Sequence, residues 1–109
     1  MYNSKISGLG MYVPENVVTN HDLSEMMDTS NEWIIERTGI EERRHIKKGD
    51  GNSTVTMGVK ASKIAIERAG IDKNDIDLIL FATLSPDYYF PGSGVLAQEQ
   101  LGIPTCPAM

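Results

Sequence analysis

An α/β layered fold is predicted for this 109-residue chain by three observations. The run Leu78-Ile79-Leu80-Phe81-Ala82 is apolar without polar alternation, the mark of a parallel strand covered on both faces. Thr54 to Ala69 carries helical apolar spacing and is followed by Gly70 as a stop. Lys5 to Val13 reads as a further strand, so strands and helices alternate along the chain and a sheet with helices above and below follows.

Taken in order, Lys5 to Val13 places Ile6, Leu9, Met11 and Val13 in a central strand, with Gly8 and Gly10 permitting close approach of another backbone. Asn20 is expected to cap a helix from His21 to about Asp28 that buries Leu23, Met26 and Met27. Thr29 and Glu32 have the spacing of a capping box for a second helix, which Gly39 ends. Ile40 to Ile46 reads as an extended, charged segment near an edge, and Lys48 to Ser53 as a turn whose glycines are too irregular for a phosphate loop. The Thr54 to Ala69 helix bears Met57, Ala61, Ile64, Ala65 and Ile66, apolar enough to be buried on more than one side. Its Ala61, Ala65 and Ala69 form a small-residue stripe for close packing. Asp72, Asp75 and Asp77 mark a solvated turn rather than a metal site. The loop from Ser85 to Gly94 leads into a helix from about Val95 to Leu101, stopped at Gly102.

Composition narrows the function classes. With 40% hydrophobic and 23% charged residues the chain is an ordinary globular sequence. Leu78 to Thr83 is too short to span a bilayer and Met1-Tyr2-Asn3-Ser4-Lys5 lacks the apolar core of a signal peptide, so a cytoplasmic protein without membrane insertion is expected. The single cysteine, Cys106, excludes an internal disulfide framework and has no metal-ligand spacing with His21 or His45, which read as surface histidines. A net charge of −5 argues against nucleic-acid binding. Arg37, Arg43, Arg44, Lys47 and Lys48 nevertheless cluster, partly offset by Glu41 and Glu42. Such a cluster attracts the phosphates of a cofactor or an acidic carrier protein, or else forms a solvated strand edge.

The only Trp of the chain, Trp33, lies one helical turn before Arg37, so an indole and a guanidinium share a helix face. That pairing suits a flat base attached to phosphates, as in coenzyme A, while the plainer alternative has Trp33 plugging the core and Arg37 in solvent.

Asp28-Thr29-Ser30-Asn31-Glu32-Trp33, then Arg37-Thr38-Gly39-Ile40 and Arg43, resembles the N-terminal signature of β-ketoacyl-acyl carrier protein synthase III, the initiating condensing enzyme of type II fatty-acid synthesis. The likeness extends through Ile6-Ser7-Gly8-Leu9-Gly10, Tyr12-Val13-Pro14, Thr19-Asn20, Asp22-Leu23, Phe90-Pro91 and Leu101-Gly102-Ile103. The resemblance implies a thiolase-like fold of two similar layered α/β halves, with residues 1–109 as an incomplete N-terminal part of the first. It implies that Trp33 stacks on the adenine of coenzyme A, with Arg37 beside the nucleotide and Thr29 and Thr38 nearby. Phe90 would cross a homodimer interface to close the partner's acyl pocket, although Tyr88 and Tyr89 depart from some family members. Acyl-coenzyme A and malonyl-acyl carrier protein would be the substrates, with no permanently bound cofactor. The family's nucleophilic Cys falls shortly after the position of Met109 and its His and Asn later still, so the resemblance places no catalytic residue within this chain. Cys106, with no cation or His beside it in sequence, is expected to be a buried bystander. A related synthase of secondary metabolism and a non-catalytic nucleotide-binding or interaction module remain open at this point.

Overall fold

The computed structural model describes residues 3–104 and 106–109. They form two compact units, Val13–Asp50 and the combination of Met1–Tyr12 with Gly51–Met109.

In the first, strand β1 (Val17–Thr19) pairs antiparallel with β2 (Glu42–Arg44), Val18 opposite Arg43. Helices α1 (Asn20–Met26) and α2 (Asn31–Thr38) lie between them in sequence. The edge expected in Ile40 to Ile46 is β2, whereas β1 is too short to leave a periodic trace in the sequence. Both expected helix starts move by one residue. Thr19, not Asn20, caps α1: its Oγ1 accepts from the Asp22 amide, and the Asp22 carboxylate accepts from the Thr19 amide at 2.7 Å. Ser30, not Thr29, caps α2, its Oγ accepting from the Trp33 amide at 3.1 Å, so the Thr29–Glu32 capping box is not formed. Asn20 is instead buried, its Nδ2 donating to Asn31 Oδ1 and to the Ile40 carbonyl at 2.8 Å, which ties the two helix starts to the end of α2. Met26 and Met27 are exposed, contrary to expectation, because α1 ends at Met26 and the chain leaves in an extended conformation; Val18 and Ile34 are buried here, with Pro14. Gly39 ends α2 in the left-handed conformation, as the sequence implies.

The other unit is organised by α3 (Thr54–Ala69), which has the predicted limits, and α4 (Ser93–Leu101), which starts two residues before Val95 because Gly92 is its cap. Val55, Val59 and Ala97 form the core, with Phe81, Leu96 and Leu101 packed against them. The expected α3 residues Met57, Ala61, Ile64, Ala65 and Ile66 are only half-buried. Gly58 leaves room for the Phe81 ring, which a Cβ there would approach to 2.6 Å. A second side of α3 carries the Ala stripe, and Gly8 and Gly10 lie directly on it: a Cβ on Gly8 would sit 2.8 Å from the Ala69 amide nitrogen, and one on Gly10 2.7 Å from that of Ala65. Two features read separately from the sequence are thus the two halves of one contact.

The expected strands are only partly formed. Lys5 to Val13 makes no ladder among the described residues, although burial alternates along it with the period of an extended chain. The glycines take the inner positions, so Ile6, Leu9 and Met11 are 79%, 68% and 75% exposed rather than central. Leu78 to Ala82 does run parallel to a neighbour, through an Ile79–Ala108 bridge with Ile79 N donating to the Pro107 carbonyl (3.0 Å) and Phe81 N to the Met109 carbonyl (2.7 Å). It is covered on one face only: Phe81 enters the core and Leu80 faces out. With this much apolar surface uncovered, residues 1–109 purified alone are expected to self-associate in sedimentation experiments. A monomer with a sharp, cooperative unfolding transition would show that they make an independent domain.

Candidate functional site

The Trp33 face is built by the start of α2. Capping by Ser30 begins the helix there, and Ile34, the next residue, anchors it by burial, which leaves Trp33 pointing outward and 55% exposed. The alternative of Trp33 as a core plug is therefore wrong. Arg37 is one turn on, with its guanidinium carbon 5.7 Å from the indole centroid, within cation–π range. Asp28, Thr29, Ser30 and Trp33 line an open recess of about 320 Å³. Thr29 is thus beside the indole. Thr38 is not available in the same way: its Oγ1 donates to the Ile34 carbonyl (2.7 Å) and accepts from the Ile40 amide (3.1 Å), closing the last turn of α2. Glu32, in the first turn, is held below the ordinary carboxylate value by a hydrogen bond from its own backbone N–H and one from the Asn31 side chain.

The basic cluster divides. Arg44 Nη1 donates to the Pro14 and Glu15 carbonyls (3.2 and 3.3 Å) and Arg43 Nη1 contacts the Val18 carbonyl at 3.4 Å, so these two guanidiniums brace the β1–β2 region. Of the five, Arg37 is the one placed beside an aromatic face.

Phe90 and its neighbours Tyr88 and Tyr89 are exposed, Phe90 to 92% and Tyr89 to 99%, so packing into their own loop does not account for them. What holds the loop is Asp87, a residue the sequence reading passed over. Its carboxylate accepts from Ser53 Oγ (2.7 Å) and from the amides of Thr54 and Val55 (both 2.9 Å) at the start of α3. Partial burial pushes the Asp87 carboxyl up, but the hydrogen bonds from Ser53, Val55 and Thr54 outweigh it and leave the group below the usual value. An acidic residue between Pro86 and Pro91 gives no periodic signal; only the fold brings it to a helix start 32 residues earlier.

His21 lies on the surface with Glu25 3.6 Å away, in keeping with a solvent-facing pair. Cys106 is half-buried, and Gln98 Nε2 donates to its carbonyl at 2.9 Å and lies 3.7 Å from its sulfur. No His, Cys, Asp or Glu cluster able to hold a metal occurs among the described residues.

The fold is similar to that of solved thiolase-like condensing enzymes. Within that class the chain matches β-ketoacyl-acyl carrier protein synthase III. It is 54% identical over 105 residues to the β-ketoacyl-[acyl-carrier-protein] synthase III of Aliivibrio fischeri, covering 96% of this chain and 32% of that protein. The crystal structure of 3-oxoacyl-[acyl-carrier-protein] synthase III from Aquifex aeolicus superposes with a TM-score of 0.85 at 42% identity, over 96% of this chain and 34% of that one. A priming β-ketosynthase of a polyketide biosynthetic pathway gives a TM-score of 0.84 at 32% identity, over 94% and 31%. No family model matches the chain. The chain spans about a third of the length of the relatives it matches.

Proposed function

We propose that this chain is the nucleotide-binding and subunit-contact portion of a 3-oxoacyl-acyl carrier protein synthase III, acting in the cytoplasm as a homodimer. The observation that carries the reading is the outward-facing Trp33 with Arg37 across its ring, above a recess bounded by Thr29. An exposed indole offers a stacking face to the adenine of acyl-coenzyme A, and the guanidinium offers paired donors to its phosphates. Thr38 contributes by closing α2 beneath Arg37. Phe90, projecting from its loop, forms a wall of the partner's acyl pocket.

The complete enzyme transfers the acyl group from coenzyme A to a Cys thiolate, releasing coenzyme A. The thioester carbonyl is then attacked by the enolate formed when malonyl-acyl carrier protein loses carbon dioxide, which yields 3-oxoacyl-acyl carrier protein and restores the thiol. Both the nucleophile and the donors that stabilise the enolate come from residues other than those of this chain. A second reading, a synthase that primes a secondary-metabolic pathway, is favoured by the likeness to the priming β-ketosynthase. Turnover of acetyl against longer primers separates the two.

The test is covalent labelling of the full-length protein with radiolabelled acyl-coenzyme A. Cys106→Ser is expected to keep the label, since the side chain set against the Cys106 sulfur is Gln98, an amide that cannot act as a base. Loss of label with the fold intact would move the nucleophile into this chain and overturn the assignment.

A further inference from the structure

We propose that Asp87 is a specificity-determining positioning residue, whose carboxylate clamps the Tyr88-Tyr89-Phe90 segment to the start of α3 and so sets which acyl groups the pocket accepts. This rests on the reading of Phe90 as a pocket wall.

The geometry shows how the clamp works. Three donors converge on two carboxylate oxygens: Thr54 N on Oδ1, and Ser53 Oγ together with Val55 N on Oδ2. A group that only accepts satisfies all three at once. Ser53 Oγ can donate to Asp87 while its lone pairs accept from Thr56 N at 3.2 Å, so the clamp and the cap of α3 share one hydroxyl. A further bond, Thr54 Oγ1 to the Ser85 carbonyl at 2.8 Å, holds the loop two residues earlier. On the far side the segment is held where α4 begins, with the Val95 amide donating to the Gly92 carbonyl at 3.1 Å. Tyr89 and Phe90 sit between these anchors with almost no contacts of their own, so their direction is inherited from the anchors. Val55, one of the donors, is 1% exposed and belongs to the core, which makes the clamp stiff at its base.

An amide at this position keeps the shape but turns one acceptor into a donor facing another donor. In the full-length enzyme, Asp87→Asn is therefore expected to speed hydrogen exchange of the Thr54 and Val55 amides at least tenfold, with amides in the second half of α3 unchanged. The ratio of kcat/KM for a branched acyl-coenzyme A over acetyl-coenzyme A should move at least threefold in the direction given by Phe90→Ala. If Asp87→Asn does not fold, Ser53→Ala removes one of the three donors and should give the same pattern at smaller amplitude. Unchanged exchange at Thr54 and Val55 overturns the clamp. A ratio that moves in Phe90→Ala and not in Asp87→Asn overturns the specificity role while leaving the Phe90 reading intact. A ratio unmoved in Phe90→Ala sinks the pocket reading and with it the specificity role of Asp87, and the exchange result then decides the clamp alone.

Discussion

Trp33→Ala in the full-length protein raises KM for acyl-coenzyme A with much less change in kcat. Base stacking on an aromatic contributes about 1–3 kcal/mol, which corresponds to roughly a 5- to 150-fold change in affinity. The effect falls on KM because the indole would hold the nucleotide, remote from the thioester, and binding there is nearly equal in the ground and transition states. The fold should tolerate the change, since the indole is more than half exposed and Ile34 supplies the burial that anchors α2. Arg37→Ala should act in the same direction and lose its effect as salt is raised. Arg37→Lys should recover only part, because an ammonium keeps the charge without the planar stack. Steady-state kinetics with acyl-coenzyme A against a short acyl thioester lacking the nucleotide checks this. Equal kinetics for wild type and both alanine variants would remove the assignment.

Gly10→Ala is expected to destabilise the protein by about 1–3 kcal/mol or more, the range for forcing extra atoms into a packed contact. The added methyl meets the Ala61 carbonyl and the Ala65 amide, both backbone atoms of α3 that have no rotamer in which to retreat. Gly8→Ala should behave likewise against Ala65 and Ala69. Because the obstacle is backbone, trimming the stripe with Ala61→Gly should fail to rescue Gly10→Ala. Thermal denaturation of the single and double variants reads both points, and a Gly10→Ala protein as stable as wild type would show that the segment does not lie on α3 as described.

Much of this arrangement was legible before the structure, and the misses share causes. The limits of α3 and the stops at Gly39, Gly70 and Gly102 were read correctly, because a glycine in left-handed conformation punctuates a helix locally. Helix starts were less secure: in Thr19-Asn20 and Thr29-Ser30 two good capping residues stand side by side, and tertiary bonds choose between them. Asn20 is drawn inward by Asn31 and Ile40, which leaves the cap to Thr19. Of the two expected strands, Leu78 to Ala82 has the expected parallel pairing but cover on one face only, and Lys5 to Val13 makes no ladder among the described residues. The apolar residues of Lys5 to Val13 suggest an inward face, whereas the close approach to α3 demands glycine on that side and turns Ile6, Leu9 and Met11 outward. Trp33 and Arg37 were visible as a pair because their partnership is one helical turn long. Asp87 was not, since its partners are more than thirty residues away in sequence.

The seat of the N-terminal segment on α3 also sets an order of events during synthesis. The Leu9 carbonyl accepts from Arg68 Nη1 at 3.0 Å, a bond between residues 59 apart. The segment around Leu9 is made before α3 and therefore has nothing to lie on until α3 follows, which at about 5–20 residues per second is roughly 3–12 s later. During that interval the Gly8 and Gly10 face that later meets Ala61, Ala65 and Ala69 travels uncovered, and docking becomes a step that follows helix formation rather than one that guides it.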